Sequence, residues 1–357
     1  MKSSRRDPLV SVVIITTNQF KFIGKCIDTV LTSNYKNIHI YLVDNNSEKS
    51  AYEKFYNEYK NNKKLTFYRL KNNRGFASGC NYALKRIKKG YVVLLNDDTL
   101  VTKNWLNPII KYMEEHPDVG ACQPKIKSMR DKSMFEYAGA GGGYMDVFGY
   151  PFCRGRIFFS IEKDRGQYDD IVDVAWTSGN CLITKIDVIK KVGLLDEMFF
   201  LYGEEVDLCW RMSYFGYRLV YIPKSVVYHY GSGTFGNKSP KKVFLHHRNH
   251  IILIFKNYTL LQLLRYLPFR VILDSVAFWY YLVNDRLPLN ALAVIKAYFS
   301  LIVLLPQIYK RRKKAAFRIK GSQHPLYPLY KKSIIIDYFI FKKKKYNELS
   351  REYFFKS

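Results

Sequence analysis

Residues 9–16 read LVSVVIIT, a continuous run of apolar, mostly β-branched side chains that predicts a strand buried on both faces of a parallel sheet. Apolar residues then repeat at intervals of three and four between positions 22 and 31, which predicts an amphipathic helix. Residues 38–43, IHIYLV, predict a second strand that ends at Asp44. Strand, helix and strand in this order form a βαβ unit.

The same alternation continues to about residue 95. Residues 52–59 and 77–87 predict helices, and residues 65–70 and 91–95 predict strands. We therefore expect an α/β fold with a mostly parallel central sheet and flanking helices.

Polar segments follow three of the predicted strands, at residues 16–18, 44–46 and 96–98. Ligand sites in parallel sheets lie beyond the carboxyl ends of the strands. The three segments should therefore converge on one crevice.

The composition of the 357-residue chain is that of a packed globular protein, with 48% hydrophobic and 25% charged residues. The net charge is +28, and residues 301–357 alone carry fifteen Lys and Arg against three Asp and Glu. A tail of this kind attracts polyanions such as anionic lipid, nucleic acid or acidic polymers.

The six cysteines stand singly in the sequence, which predicts reduced, buried thiols rather than a disulfide framework. Residues 1–6 lead into the first strand without the apolar core of a signal peptide. We therefore expect the protein to face the cytoplasm.

Residues 123–167 lack regular periodicity and contain four glycines between positions 139 and 143. This composition predicts an irregular region that covers a substrate rather than a linker between domains. The glycine run is not a dinucleotide-binding fingerprint, because no strand pattern precedes it and no helical pattern follows it.

Beyond about residue 243 the sequence changes to long, aromatic-rich helical segments at 251–255, 260–283 and 287–309, followed by the basic run KRRKK at 310–314. Charged residues interrupt these segments, so we expect helices that lie on a membrane surface. A single membrane span and an ordinary soluble helical subdomain remain the alternatives. We place the boundary between an α/β domain and this helical region at residues 1–245 and 246–357.

Two acidic clusters indicate the chemistry. Asn96, Asp97 and Asp98 follow a buried strand, where carboxylates suit a Mg²⁺ or Mn²⁺ ion that carries substrate phosphates. Glu204, Glu205 and a third carboxylate at position 207 open an amphipathic stretch, as a general base would.

At this point the chain resembles the inverting family 2 glycosyltransferases of the GT-A fold, and within them bacterial rhamnosyltransferase-type enzymes of cell-surface polysaccharide synthesis. The resemblance covers roughly residues 9–260 and lies in six ordered segments: VSVVIITTN, IYLVDNNS, NNRGFASGCNYAL, YVVLLNDDTLV, SGNCLITKIDVIKKVGLLDEMFFLYGEEVDLCWRMSYFGYRLVYIP and VVYHYGSGT.

The resemblance implies a donor site at the strand ends. Asp44 would bind the nucleotide base, because a carboxylate can accept a hydrogen bond from the imide N–H. The other implied donor-binding residues are Thr16, Asn18, Arg74, Asn81 and Asp97. For Asn81 and the nearby Gly79, helix capping and turn formation are the structural alternatives.

The resemblance also implies a metal site and a catalytic base. Asp98 would be the main ligand of Mg²⁺ or Mn²⁺, Asn96 stands where relatives have the first acid of the motif, and His229 would be either a ligand or a structural hydrogen-bonding group. Glu205 would be the base, one methylene longer than the usual Asp, with Glu204 as a substitute.

Three further implied roles have structural alternatives. Asp207 is another substitute base, but it stands four residues before Arg211 and would pair with it on a helix. Trp176, Gly179 and Asn180 would border the acceptor pocket, and the alternative for Trp176 is packing in the core.

Together these features predict transfer of rhamnose or another hexose from a dTDP- or UDP-sugar to a glycan, with a polyprenyl-diphosphate-linked acceptor favoured. The enzyme would sit peripherally on the cytoplasmic face of the cell membrane, bound to its anionic surface. A sugar nucleotidyltransferase would need a glycine-rich basic loop after the first strand, where this chain has TTNQFK. A nucleic-acid-binding protein is suggested only by the net charge and the interleaved aromatic residues, and we expect no nucleic-acid partner.

Overall fold

A computed structural model describes residues 7–137, 139–231, 239–320 and 329–354. The described strands are β1 (Val10–Thr16), β2 (Ile38–Asp44), β3 (Leu65–Arg69), β4 (Tyr91–Asn96), β5 (Thr99–Val101), β6 (Val119–Ser128), β7 (Gly143–Asp146), β8 (Pro151–Cys153), β9 (Arg156–Ile157), β10 (Ser160–Ile161), β11 (Val172–Asp173), β12 (Cys181–Lys185), β13 (Arg218–His229) and β14 (Leu329–Tyr330).

The described α-helices are α1 (Phe20–Leu31), α2 (Lys49–Tyr59), α3 (Gly75–Leu84), α4 (Asn107–Glu115), α5 (Ile186–Val192), α6 (Glu204–Tyr214), α7 (Pro240–Asn257), α8 (Leu260–Trp279) and α9 (Pro288–Lys320). Short 3-10 turns lie at Glu197–Phe199, Tyr346–Glu348 and Arg351–Tyr353. Single π-helical turns lie at Tyr280–Asn284 and Ile336–Ile340.

The strands and helices predicted for residues 9–95 are confirmed as the series from β1 to β4. Each helix packs on the sheet through the apolar face that its spacing predicts. In α1, for example, Ile23, Cys26, Ile27 and Val30 are buried. The main sheet thus has apolar cores on both faces.

Nine strands form the main sheet in the order β11-β13-β6-β12-β4-β1-β2-β3, with β5 paired to β13. The strands from β1 to β4 run parallel, and so do β6 and β13. However, β12 is antiparallel to both β4 and β6, and β5 and β11 are antiparallel to β13.

The sheet is therefore mixed, which corrects the expectation of a mostly parallel sheet. Parallel neighbours need a crossover connection that is usually helical. Between β6 and β12, strands β7 to β10 belong to a second sheet and β11 pairs with β13, so the described residues there form no crossover helix.

This second sheet has five strands in the order β10-β9-β8-β7-β14. It corrects the expectation that residues 123–167 are irregular, because strands of two to four residues carry too short a pattern to be recognised. Buried glycines make its packing possible: a side chain at Gly143 would collide with Trp176, and one at Gly142 with Val174. A role of this region in covering substrate stays a prediction.

Helices α7, α8 and α9 follow the sheets, as the sequence predicts. The proposed boundary between residues 245 and 246 falls inside α7, whose residues 251–254 are buried in the same core as the main sheet. By length and composition, Pro288–Lys314 is the one described helix that could cross a membrane, with a mean hydropathy of 1.9. The alternative of a single membrane span therefore concerns α9, in which Lys296 interrupts the apolar run as the sequence analysis expects.

All six cysteines are buried and free. This confirms the prediction of reduced, buried thiols.

Candidate functional site

The ends of β1, β2 and β4 lie side by side, as predicted. Thr16 pairs with Asp44, and its neighbour Ile15 pairs with Asn96. The three polar segments therefore lie along one edge of the sheet. A backbone hydrogen bond of 2.8 Å from Asn45 N to Thr16 O joins the first two segments.

The loops after β1 and β2 support each other. Asn18 has φ 57°, and its backbone N–H donates to Ser47 Oγ (2.8 Å) while its side-chain oxygen accepts from Glu48 N (2.8 Å). Asp44 is fully buried, accepts from Ser47 N (3.1 Å), and has its Oδ2 3.4 Å from Arg69 Nε. In this structure Asp44 therefore orders the loop, and its contact with a base stays a prediction.

Asn45 links this loop to the start of α3. Its side-chain oxygen accepts from Arg74 N (3.0 Å), and its side-chain N–H groups donate to Asn73 Oδ1 (3.0 Å) and Gly75 O (3.3 Å). The Arg74 side chain is 65% exposed, with one nitrogen 3.9 Å from Glu197. Asn45, which belongs to the predicted polar segment 44–46, therefore holds the backbone of Arg74 near the crevice, a role that the sequence alone does not indicate.

Asn81 lies in the middle of α3, so helix capping does not explain it. Its amide donates to Leu195 O (2.9 Å) and Glu197 Oε1 (3.1 Å) and accepts from Leu195 N (3.1 Å). Asn81 thus holds residues 195–197, the segment that precedes Glu204, against α3. Gly79 lets α3 approach β1, because an added Cβ would lie 3.0 Å from Ile15.

Asp98 belongs to a buried chain of three ionisable side chains. His229, the last residue of β13, pairs with Thr99 in the sheet and so reaches the acidic cluster. Its Nε2 lies 2.9 Å from Asp98 Oδ1, and its Nδ1 lies 3.0 Å from Glu136 Oε2. Each of the three side chains is less than a tenth exposed.

Burial alone would lower the pKa of His229, but Glu136 and Asp98 together raise it to about 10. The imidazole is therefore a cation between two carboxylates. Burial, followed by the negative charge of Asp98, raises the pKa of Asp97 to about 7, although the Thr16 hydroxyl opposes this shift.

The donor set fits a divalent cation. Burial and then the charge of Asp98 raise the pKa of Asp97, and a cation at this strand end would offset both the lost solvation and the repulsion. Among residues 7–137, 139–231, 239–320 and 329–354, no group of three His, Cys, Asp or Glu side chains is arranged to hold a metal. Magnesium, however, is commonly held by one or two carboxylates together with substrate phosphates.

Glu204 and Glu205 open α6, as predicted, directly after Gly203 in a left-handed conformation. Glu204 is 3% exposed, and burial together with Glu205 raises its pKa. Glu205 is half-buried, accepts from Gly203 N (3.1 Å), and has a pKa that burial raises. A raised pKa makes a carboxylate a better proton acceptor, and Glu205 is the more accessible of the two.

Glu205 lies against the segment predicted to border the acceptor. A Cβ added to Gly179 would be 3.5 Å from Glu205 Cβ. The next residue, Asn180, accepts from Asn96 N through its backbone oxygen (2.9 Å) and donates from its side chain to Thr99 Oγ1 (2.9 Å). Residues 179–180 therefore connect the two acidic clusters.

Two predicted roles are corrected in favour of their alternatives. Asp207 is fully buried, with its Oδ2 2.9 Å from Arg211 Nε and its Oδ1 2.6 Å from Lys256 Nζ, so its charge is already paired. Trp176 is 6% exposed, packs on Gly143 and donates to Tyr144 O (2.8 Å), so the protein itself covers its ring.

Sequence reasoning missed Glu136. It stands in the glycine-rich region, where no periodicity or motif marks it, and only the fold brings it to His229. The final residues of the segment VVYHYGSGT, 232–234, lie outside the described residues.

Comparison with known proteins gives two family matches. The chain matches the family described as Glycosyl transferase family 2 over residues 11–168 and the family described as Glycosyl transferase family group 2 over residues 91–309.

The chain is similar in sequence to two curated relatives. It is 27% identical over 167 residues to Rhamnosyltransferase WbbL of Escherichia coli, covering 44% of this chain and 61% of the relative. It is 26% identical over 169 residues to N-acetylglucosaminyl-diphospho-decaprenol L-rhamnosyltransferase of Mycobacterium tuberculosis, covering 46% of this chain and 54% of the relative. The matches thus span only about half to three-fifths of these relatives.

One solved structure with a similar fold is the crystal structure of GalNAc-T7 with UDP, GalNAc and Mn²⁺. Its TM-score is 0.57 at 14% identity, and the alignment covers 91% of this chain and 60% of that one. At this identity the likeness concerns the fold alone.

Proposed function

Because this chain belongs to glycosyltransferase family 2 and is a glycosyltransferase, we propose that it transfers rhamnose or another hexose from a dTDP- or UDP-sugar to a glycan, with inversion of the anomeric centre. The observation that carries the proposal is the connection of two acidic clusters through residues 179–180. One cluster suits a diphosphate and the other a proton acceptor.

In the proposed reaction Glu205 takes the proton of the acceptor hydroxyl as that oxygen attacks the anomeric carbon. The bond from that carbon to the diphosphate oxygen breaks on the opposite face of the sugar. Glu205 suits this role because it is half-buried and its pKa is raised, whereas Glu204 is almost fully enclosed.

Asp98 and Asn96 would hold Mg²⁺ or Mn²⁺, which when bound supplies positive charge to the departing diphosphate. His229 would join them as a ligand once its Nε2, which now faces Asp98, has lost its proton. Glu136 would keep the His229 ring in place by accepting from Nδ1, as carboxylates often do for metal-binding histidines. Thr16, Asn18 and the loop after β2 would receive the nucleotide.

We also propose that α8 and α9 lie on the cytoplasmic face of an anionic membrane, which would bring a polyprenyl-diphosphate-linked acceptor to the site. Six large apolar side chains on these two helices are at least 65% exposed. They are Leu260, Leu261, Leu264, Leu289, Phe299 and Val303. An exposed apolar surface of this extent is typical of membrane or protein contacts.

A helix lying on the surface fits α9 better than a helix crossing the bilayer. One of its sides is packed on the protein, with Ala291, Ala297 and Ile308 at most 2% exposed. The exposed surface also continues to residues 336–341, where the ring of Phe339 lies tilted beside that of Tyr280 with centroids 6.3 Å apart.

The basic run 310–314 divides into two groups. Arg311 pairs with Asp196 (2.9 Å), and Arg312 donates to Phe255 O and Tyr258 O, both at 2.6 Å. These two arginines therefore attach α9 to the protein. The lysines of the run, Lys310, Lys313 and Lys314, are exposed and would contact anionic headgroups.

A screen of nucleotide sugars tests the proposed activity. The protein is incubated with dTDP- and UDP-sugars, Mg²⁺ or Mn²⁺, and a lipid-linked or soluble saccharide acceptor, and a chelator is added in parallel. We expect one donor to be consumed only when metal is available. A parallel incubation supplies a nucleoside triphosphate and a sugar 1-phosphate. Formation of a nucleotide sugar with release of diphosphate there would identify a nucleotidyltransferase and overturn the proposal.

A further inference from the structure

The loop directly before Glu204 has an unusual backbone. Phe200 has φ 62° and Tyr202 has φ 71°, and Gly203 follows with φ 93°. Bulky residues rarely adopt positive φ, and such conformations persist only where surrounding contacts impose them. Residues 199–203, which we call the carboxylate loop, therefore need external support.

On one side the start of α3 supports the carboxylate loop. Phe76 N donates to Phe200 O (2.7 Å), and a side chain at Gly75 would collide with that carbonyl. The loop is thus in direct contact with the segment that Asn45 holds at the donor crevice.

On the other side Asn249 of α7 supports it. The Asn249 amide donates from Nδ2 to three carbonyl oxygens of the loop: Phe199 O (3.0 Å), Leu201 O (2.8 Å) and Tyr202 O (2.6 Å). Asn249 is fully buried. The two N–H groups of this amide are thus shared among three backbone acceptors, of which Phe199 O also accepts from Leu201 N (2.7 Å).

Arg248 orients this amide. Its Nε donates to Asn249 Oδ1 (2.9 Å), so the nitrogen of the amide faces the loop. Its guanidinium also donates to Phe199 O (3.0 Å). In addition, the ring of His246 stacks on Tyr202 with centroids 4.5 Å apart.

We propose that Asn249 is a positioning residue, which holds the carboxylate loop in the shape that aims Glu205 at the acceptor. It acts through the backbone of residues 199–203 and does not touch the substrate. The role in catalysis rests on the proposed function, whereas the effect on the loop does not.

The test compares Asn249→Ala with Asn257→Ala. Asn257 is also a buried asparagine of α7, but its side chain donates only within the helix, to Leu253 O (3.0 Å). It therefore controls for the loss of a buried amide from this helix. Arg248→Met serves as a milder variant that keeps Asn249 but removes its orienting partner.

Two quantities are measured on the full chain: amide hydrogen exchange of residues 199–206 and the steady-state constants of transfer. In Asn249→Ala, and to a smaller extent in Arg248→Met, we expect faster exchange in the loop. We also expect kcat to fall by roughly a hundredfold with the donor KM little changed, because misplacing a reacting group by about 1 Å has this effect. Asn257→Ala should leave both quantities close to wild type.

Equal effects of Asn249→Ala and Asn257→Ala, or an unchanged loop in both Asn249→Ala and Arg248→Met, would overturn the proposal. If Asn249→Ala does not fold, the decision rests on Asn249→Asp, which keeps the shape of the side chain but replaces the donating amide nitrogen with an oxygen, because Arg248→Met also removes the hydrogen bond from Arg248 to Phe199 O. The two parts of the proposal can also separate. If Asn249→Ala shows faster loop exchange but the wild type transfers no sugar, the loop contact is supported and the proposed function is contradicted.

Discussion

Helix α8 differs from the main sheet in the kind of side chain that it buries. In β1 every residue is buried, and Val12 and Ile14 have no exposed surface. In α8 the buried residues include Arg270 and Asp274, at 1% and 0% exposure, while Leu261 is 76% exposed.

The buried charges of α8 form a closed network. Asp274 accepts from Arg270 Nε (2.9 Å), Tyr150 OH (2.7 Å) and Tyr298 OH (2.8 Å), and lies 3.1 Å from His247 Nδ1. Paired in this way, the carboxylate can stay inside without an uncompensated charge. Helix α8 thus places charged residues towards the protein and apolar residues outwards, the opposite of a helix on a water-soluble surface.

This contrast is the reason for proposing that α8 contacts a membrane, whereas the main sheet forms the core of the protein. The faces of the main sheet are covered by apolar side chains, and the carboxylates of Asp44, Asp97 and Asp98 lie at one edge of it. The helices present hydrocarbon that a lipid surface would cover. The predictions below test each region separately.

The largest expected effect is on the acidic edge of the sheet. Asp98→Ala should abolish metal-dependent binding of the nucleotide sugar, because the diphosphate would lose its cation and its negative charge would be uncompensated. Binding of the donor is measured by calorimetry with Mn²⁺ and with chelator. Normal affinity with normal metal dependence would show that the metal lies elsewhere.

The second prediction concerns the base. Glu205→Gln keeps the size and hydrogen bonding of the side chain but cannot accept a proton, so transfer should fall by roughly two to four orders of magnitude while donor binding survives. Glu204→Gln is the matched control. If that variant is inactive and Glu205→Gln is active, the base is Glu204.

The pH dependence follows from the raised pKa of Glu205. A base must be deprotonated, so kcat should fall as pH drops through that raised pKa. The loss should therefore begin above about 4.3, the ordinary pKa of glutamate. A kcat that stays constant down to this value would argue against Glu205 as the base.

Next in size is the outward face of the helices. Leu264→Glu together with Val303→Glu should weaken binding to anionic vesicles by about 3–6 kcal/mol, because each buried apolar side chain contributes about 1.5–3 kcal/mol. Activity on a soluble acceptor should remain. Tyr56→Glu, which changes an exposed aromatic residue on α2, is the control and should bind vesicles normally.

The smallest effect is expected from Lys310, Lys313 and Lys314. Their reversal to Glu should weaken vesicle binding at low salt, since each basic side chain near an anionic leaflet contributes about 1 kcal/mol. Raising the salt concentration should reduce the difference from wild type. A difference that is independent of salt would mean that the lysines act on the fold.

The two regions also differ in how far the sequence predicts them. Residues 9–95 were predictable because parallel strands and amphipathic helices leave clear periods, and the ends of such strands must meet. Glu136, Asn45 and Asn249 were not predictable, since each acts through contacts with residues distant in the chain. The same holds for Arg311 and Arg312, which read as a membrane-binding cluster but attach α9 to the protein.

Trp176 and Asp207 illustrate the remaining limit. Their residue types suit an acceptor site and a catalytic acid or base. The packing shows, however, that the Trp176 ring lies against Gly143 and that the Asp207 charge is paired with Arg211 and Lys256. Residue chemistry restricts the candidates, and burial selects among them.

The central claim is that one displacement at the sheet edge transfers the sugar. It is tested most directly by following the reaction with the preferred nucleotide sugar by NMR and determining the anomeric configuration of the first product. We expect a configuration opposite to that of the donor, and no product from Glu205→Gln. A product that retains the donor configuration would contradict a single displacement assisted by Glu205.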